Sequence, residues 1–246
     1  MSAALLEVEG VTKRFGGFTA LDTVSVTIRP GERFGLVGPN GSGKTTLINC
    51  ISGVFGLDAG AISFKGENIS RLPAYVRTRR GIARSFQIPR PFRSMTVIEN
   101  LMVALDFAVV GHGLGASARQ QEVMSLLERM GLAAKASRST NELSQVELRR
   151  LELARAMAAR PKLLISDEAM AGLSSGEIDE VLDLLIKLNS EGITIIMIEH
   201  IMHAVVRFSE RVMCLDAGRI IASGTPAEVM AEKRVQEAYL GAYAHS

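Results

Sequence analysis

Cysteine is scarce in this chain. Cys50 and Cys214 are the only two, and they have neither the C-x-x-C spacing of a metal or redox site nor the density of a secreted disulfide scaffold. A reducing compartment is therefore expected. Tryptophan is absent, so a ring that stacks on a base would have to be another aromatic. No window reaches the roughly 18 apolar residues of a membrane span; the nearest, "LMVALDFAVVG", is too short and contains Asp106. The N-terminal "MSAALLEVEG" lacks the basic region and long apolar stretch of a signal peptide. The expectation is a cytosolic protein that reaches a membrane only through a partner. An excess of one charge is missing too: 28 Lys and Arg face 26 Asp and Glu, a formal charge of +2. That argues against a strongly basic nucleic-acid binder, and no nucleic-acid partner is expected. Internal repeats and low-complexity tracts are likewise lacking.

What is present is an ordinary globular balance, 47% hydrophobic and 22% charged over 246 residues, enough for one domain or one domain with an insertion. "LLEVEGVTKRF" and "VSVTIRPGERFGLVG" read as strands punctuated by Gly and Pro, and "AGAISFKGENIS" as a hairpin. "KTTLINCISG" has helical spacing and closes on Gly53. From about 90 to 160 Leu, Met, Ala, Arg and Glu recur at helical spacing, interrupted by a flexible "GHGLGASA". "PKLLIS" and "ITIIMIEH" are short buried strands on either side of the helix "GEIDEVLDLLIKLNSEG", and "RVMCLDAGRIIASG" is a closing hairpin. Strands that alternate with helices predict an α/β fold with a mostly parallel sheet covered on both faces. The predicted division is a core of about 1–88 and 161–230, an inserted helical subdomain of about 89–160 and a C-terminal tail, 231–246.

Gly38, Gly43, Lys44 and Thr45 satisfy G-x-x-x-x-G-K-[ST] between a strand and a helix. Glycines in such a P-loop let backbone amides curl around phosphate oxygens, and the following helix aims its positive end inward. Pro39, Asn40, Gly41 and Ser42 complete the loop. Lys44 would reach the β- and γ-phosphates, Thr45 would offer its hydroxyl to Mg²⁺, and Thr46 would serve the α-phosphate side. "LLISDE" ends a buried run in two carboxylates where phosphoryl transfer needs them. Asp167 is the expected metal-side carboxylate and Glu168 the general base. Phe15 either stacks on a base or belongs to the core. His200 ends a strand at the edge where open α/β sheets bind ligands, a place where a histidine serves structure as readily as catalysis. Gln87 falls where the β-rich part gives way to the helical one. The arginines at 77, 79, 80, 84, 90 and 93 are expected on a solvated or partner-facing surface, since no aromatics alternate with them as in a stacking platform.

In this order the motifs resemble the nucleotide-binding subunit of an ATP-binding cassette (ABC) transporter, from about residue 5 to 241. The resemblance implies a P-loop ABC ATPase fold with an N-terminal antiparallel β part, ATP and Mg²⁺ as cofactors, and ATP hydrolysis coupled to transport. It makes Phe15 the adenine-stacking aromatic, 38–46 the Walker A loop, Gln87 the Q-loop glutamine at the metal, Asp167 and Glu168 Walker B and its catalytic glutamate, and His200 the switch histidine. "RFGGFTALDTVS", "RSFQIPRPFRSMTVIENLMVA", "ELRRLELARA", "AGLSSGE" and "GTPAEVMAEKRVQEAYLG" resemble the branched-chain amino acid uptake group. Implied partners are a second ATPase subunit in a hetero- or homodimer, transmembrane permease subunits and, indirectly, a periplasmic solute-binding protein, with this chain on the cytoplasmic face of the inner membrane. Other ABC transporters, exporters included, use the same motifs. A soluble ABC ATPase of repair or translation would bring zinc cysteines, a long coiled coil or a second cassette. The chain departs from the family at "LSQVE": Val146 stands where L-S-x-G-Q has glycine and Glu147 where it has glutamine. Valine would hold a phosphate away and glutamate would repel it. Taken by itself, "SQVE" is a capping box. Ala169 and Ser174 replace the usual proline and Asp or Asn. A weakened signature site, or a weakly active regulatory subunit, is the consequence.

Overall fold

The structure, a computed structural model, describes residues 4–85, 89–107, 113 and 115–243. Strands β1 (Leu6–Phe15) and β2 (Phe18–Ile28) form an antiparallel pair whose tip sets Phe15 opposite Phe18. Leu6, Val8 and Val11 are buried in β1; Leu6 and Val8 keep the period-two pattern of a sheet with one apolar face, and an irregularity in the pairing between Val8 and Val11 shifts it by one residue. β4 (Ala59–Phe64) and β5 (Glu67–Asn68) are the expected hairpin and complete a sheet of order β2-β1-β4-β5.

A second sheet contains β3 (Arg33–Val37), β6 (Ile82–Ser85), β7 (Leu163–Asp167), β8 (Thr194–Ile198), β9 (Arg211–Asp216) and β10 (Arg219–Gly224) in the order β10-β9-β3-β8-β7-β6. Its pairs are parallel except β10 on β9. Every residue of β7 and β8 is buried, which is why those runs do not alternate: both faces are covered. On one face α1 (Lys44–Ser52) sets Leu47, Ile48 and Ile51 against Ile165 and Ile198 and against Leu6, Ile28 and Phe64 of the first sheet. On the other lie α3 (Val97–Phe107), α4 (Ala116–Arg129), α5 (Gln145–Met157) and α6 (Ser175–Ser190), whose Leu101, Leu127, Leu153 and Leu182 join Leu164 and Met197 in one apolar cluster. The helical segment between β6 and β7 thus shares its core with the sheet rather than enclosing one of its own. Three further helices, α7 (Met202–Phe208), α8 (Pro226–Ala231) and α9 (Lys233–Tyr243), follow β8 and β10. Among the described residues no helix is long and apolar enough to cross a membrane.

The expectation of a solvated arginine surface fails at Arg77 and Arg84. Arg77, on α2 (Ala74–Arg80), is 1% exposed. Its guanidinium donates to the carbonyls of Cys50 (2.6 Å), Ile51 (2.9 Å), Leu72 (2.8 Å) and Ser70 (2.9 Å). The first two belong to the last turn of α1, whose carbonyls have no partner within the helix and attract a cation. Methionine at this position would match the stem and donate nothing. Arg77→Met should lower unfolding stability by about 3 kcal/mol or more, since it orphans several buried acceptors; urea denaturation with an unchanged midpoint and slope would contradict that role.

Candidate functional site

The loop 38–43 leaves the C-terminal end of β3 and enters α1 at Lys44. Gly38 has φ 143°, and a Cβ there would lie 2.1 Å from the Leu215 carbonyl oxygen; Gly43 has φ 105° and a Cβ would lie 2.7 Å from that of Ala20. Only glycine fits both places. Because Gly43 is the N-cap, no side chain caps the first amides of α1, which is what an anion-binding helix start requires. The Gly38 amide donates to the Tyr239 hydroxyl of α9 at 2.9 Å, so the C-terminal helix braces the base of the loop.

Lys44 is 8% exposed. Its ammonium donates to the carbonyls of Gly38 (2.6 Å) and Pro39 (2.9 Å). Burial pushes its pKa down from the usual lysine value, while the charges of Glu168, Cys214 and Asp167 act the other way. A pocket of about 280 Å³ is lined by Phe15, Phe18, Ala20, residues 40–46 and Glu168. Phe15 is 43% exposed and meets Phe55 edge to face, with centroids 5.3 Å apart. It therefore faces the pocket from the surface, not from within the core.

Asp167 is the last residue of β7, and Glu168 follows at φ 46°, a left-handed conformation rare outside glycine and concentrated at functional sites. The Glu168 amide donates to the Ile198 carbonyl at 2.9 Å, which ties the turn to β8. His200, just past β8, has a side chain 58% exposed and stands outside the pocket lining. Gln87 lies outside the described residues. Thr45, in the first turn of α1, and Asp167 offer a hydroxyl and a carboxylate, hard oxygen donors of the kind Mg²⁺ takes alongside phosphate oxygens and water; this donor set fits the ion.

At "LSQVE" the capping box is present. Ser144 is the N-cap of α5, its amide donates to Glu147 Oε2 at 2.9 Å and its hydroxyl accepts from the Glu147 amide at 3.4 Å. The Glu147 carboxylate also pairs with Lys135 at 2.6 Å, and Val146 packs on the apolar cluster behind it. This corrects one expectation: Glu147 is turned back onto its own helix and neutralised, so its effect on an incoming phosphate is loss of donors more than repulsion.

Four residues of this region escaped the sequence. Phe18 faces Phe15 across "FGGF", a symmetry that could have been read. Arg84 and Tyr239 make contacts across the chain that no local pattern shows. Glu199, 1% exposed, sits in "MIEH" looking like the polar end of a strand. Its Oε1 accepts from the Met170 amide at 3.0 Å. Burial first, and then Glu168, push it up to about 7 against the hydrogen bonds and Arg149 that pull it down.

A nucleotide pocket of this construction, with consecutive carboxylates at the end of the parallel strand β7, defines a P-loop ATPase cassette. The family model described as "ABC transporter" matches residues 21–171 and that described as "Branched-chain amino acid ATP-binding cassette transporter" matches 219–245. The chain is 37% identical to the high-affinity branched-chain amino acid transport ATP-binding protein BraF of Pseudomonas aeruginosa, over 98% of this chain and 99% of that one. It is 39% identical to LivG of Escherichia coli K12, with the same coverage. A crystal structure of an ABC transporter's ATP-binding cassette in its ADP conformation superposes with TM-score 0.87 at 31% identity, covering 98% of this chain and 100% of that one. A dimeric cassette bound to ADP and phosphate gives 0.79 at 26%, covering 90% and 98%. The chain belongs to the ABC transporter family, in its branched-chain amino acid uptake group. It is a Mg²⁺-dependent ATP-binding and ATP-hydrolysing subunit of an ABC importer.

Glu199 yields a pH dependence. Its folded pKa of about 7 lies above the ordinary value of 4.5, so the folded state holds the proton more tightly. The stability this supplies is complete below pH 4.5 and lost as pH rises through 7. Glu199→Gln, which imitates the protonated form, should therefore stabilise the chain at pH 8 by up to about 3 kcal/mol, with the gain vanishing near pH 4.5. Thermal unfolding across that range checks it; a pH-independent difference would contradict the assignment.

Proposed function

We propose that this chain is one of two unequal ATPase subunits that drive uptake of branched-chain amino acids, at the cytoplasmic face of the plasma membrane beneath permease subunits served by a periplasmic binding protein. The observation that carries the inequality is the self-satisfied start of α5. In a head-to-tail pair each nucleotide lies between one subunit's P-loop and the other's signature segment. Here the P-loop is intact, while the amides at Ser144 and Glu147 are engaged within their own capping box and Val146 occupies the place of a glycine. The site built on this chain's P-loop and the partner's signature turns over; the one to which this chain lends "LSQVE" is weak.

In the working site, Phe15 stacks on the adenine, the loop amides from Gly38 to Thr46 surround the phosphates, and Lys44 exchanges its carbonyl acceptors for phosphate oxygens. Thr45 and Asp167 would hold Mg²⁺, with Gln87 the third residue assigned to it, and the ion would supply charge neutralisation to the triphosphate. Glu168 orients the attacking water and accepts its proton. His200 and Gln87 link the γ-phosphate to closure of the pair, and the exposure of His200 in the single chain suits a residue completed by a partner. This reading keeps the division into a core of about 1–88 and 161–230, a helical subdomain of about 89–160 and a tail of 231–246. A groove of about 310 Å³ between the β6 edge and α3, lined by Val54, Ala104, Phe107 and Ala156 among others, is where we seat a permease segment; Phe107 stands 79% exposed there.

In the assembled transporter, Glu168→Gln in this chain should cut ATP turnover about a hundredfold or more, and the corresponding change in the partner much less. Val146→Gly with Glu147→Gln, which keeps a capping box, should raise turnover by revealing the second site. Equal losses from the two glutamate changes would contradict the asymmetry.

A further inference from the structure

Arg84 is an arginine with a buried task near the metal-side carboxylate. It lies on β6, two residues before the stretch that holds Gln87, and its side chain is 12% exposed. Nη2 donates to Oδ2 of Asp167 at 2.5 Å, and Nη1 donates to Oδ1 of Asn49 at 2.6 Å. The Asp167 side chain is itself only 10% exposed. Asn49 belongs to α1, the helix that opens at Lys44, and its carbonyl accepts the amides of Val54 and Phe55, at 2.9 and 3.1 Å, beyond that helix's end. One guanidinium therefore joins three elements: the strand leading to Gln87, the strand ending in Asp167 and the helix of the phosphate loop.

We propose that Arg84 is a positioning residue for the metal: by taking Oδ2 of Asp167 it fixes the rotation of that carboxylate, and so the direction in which its other oxygen meets the Mg²⁺ shell. The planar fork suits this task. The bonds to Asn49 and Asp167 run to different elements, so the group is held at both ends and acts as a strut, not as a mobile counter-ion that metal displaces. A carboxylate that ligates a metal is itself held by hydrogen bonds from an outer ring of residues, and loss of such a partner costs about 10-fold to 100-fold in metal affinity. Lysine would keep the charge without spanning both Asn49 and Asp167.

The proposal rests on Asp167 as the metal-side carboxylate, and the test separates the two. Affinity for ADP is measured by calorimetry on the full chain, once with Mn²⁺ and once in EDTA; the ratio isolates the contribution of the metal. Asp167→Asn should collapse that ratio; a ratio left intact would overturn the role of Asp167. Arg84→Gln should lower it about tenfold while ADP affinity in EDTA stays near the parent value, and Arg84→Lys, which retains the charge, should lower it by a smaller factor. If Arg84→Gln does not fold, Arg84→Lys decides. A collapsed ratio for Asp167→Asn with a parental ratio in the Arg84 variants would overturn the proposal, as would a tighter Mn²⁺ complex or equal losses with and without metal.

Discussion

The start of α1 and the loop before it impose the constraint on which the rest of the molecule depends. Amides aimed at an anion need a backbone free of side chains, and the space around that backbone is already taken: the Leu215 and Ala20 carbonyls approach so closely that a Cβ at Gly38 or Gly43 has no room. β3 must deliver the loop, β9 and the end of β1–β2 must wall it, and α1 must be packed firmly enough to hold its end in place. The apolar face of α1, with Leu47, Ile48 and Ile51 fully buried, supplies that anchorage. Phe15 and Phe18 reach the same pocket because the antiparallel sheet packs on the other side of α1.

Around this helix the chain buries cations at fixed acceptors. Arg77 holds the carbonyls at its C-terminal end, Lys44 is wrapped by the carbonyls of its own loop, and Arg84 joins its Asn49 to Asp167. Isolated buried charge is costly, and each of these is matched by several oxygens. The second carboxyl environment is different in kind: Glu199 is buried near Glu168 and pushed towards neutrality, which leaves Glu168 as the carboxylate facing the pocket.

Most of this was legible in the sequence where the physics is local. The P-loop spacing, Gly53 as the αL close of α1 with φ 82°, the unalternating β7 and β8, the β4–β5 hairpin and the Ser144–Glu147 box each follow from a few neighbouring residues. The resemblance carried Phe15, Asp167, Glu168 and His200 to positions that the fold brings to one end of the parallel sheet or beside it. What was hidden depends on sequence-distant partners. Arg77 and Arg84 looked like members of a basic surface run because the acceptors that bury them against α1 and β7, at 50, 51, 49 and 167, are far along the chain. Tyr239 is separated by about 200 residues from the amide it meets. Glu147 was rightly placed in its cap, but Lys135, which neutralises it, comes from a turn that no period announces.

Everything proposed about hydrolysis, asymmetry and metal placement presupposes that the loop from Gly38 to Thr46 closes on a triphosphate with Lys44 inside it. The direct measurement is titration calorimetry of the folded chain with Mg·ATP, beside Lys44→Ala, with circular dichroism to verify that the variant is folded. The parent should bind saturably and one to one, and the variant should lose about tenfold or more in affinity, since the ammonium–phosphate contacts are charge-assisted. Equal affinity in the two proteins, or no binding by the folded parent either alone or joined to its partner subunit, would contradict it.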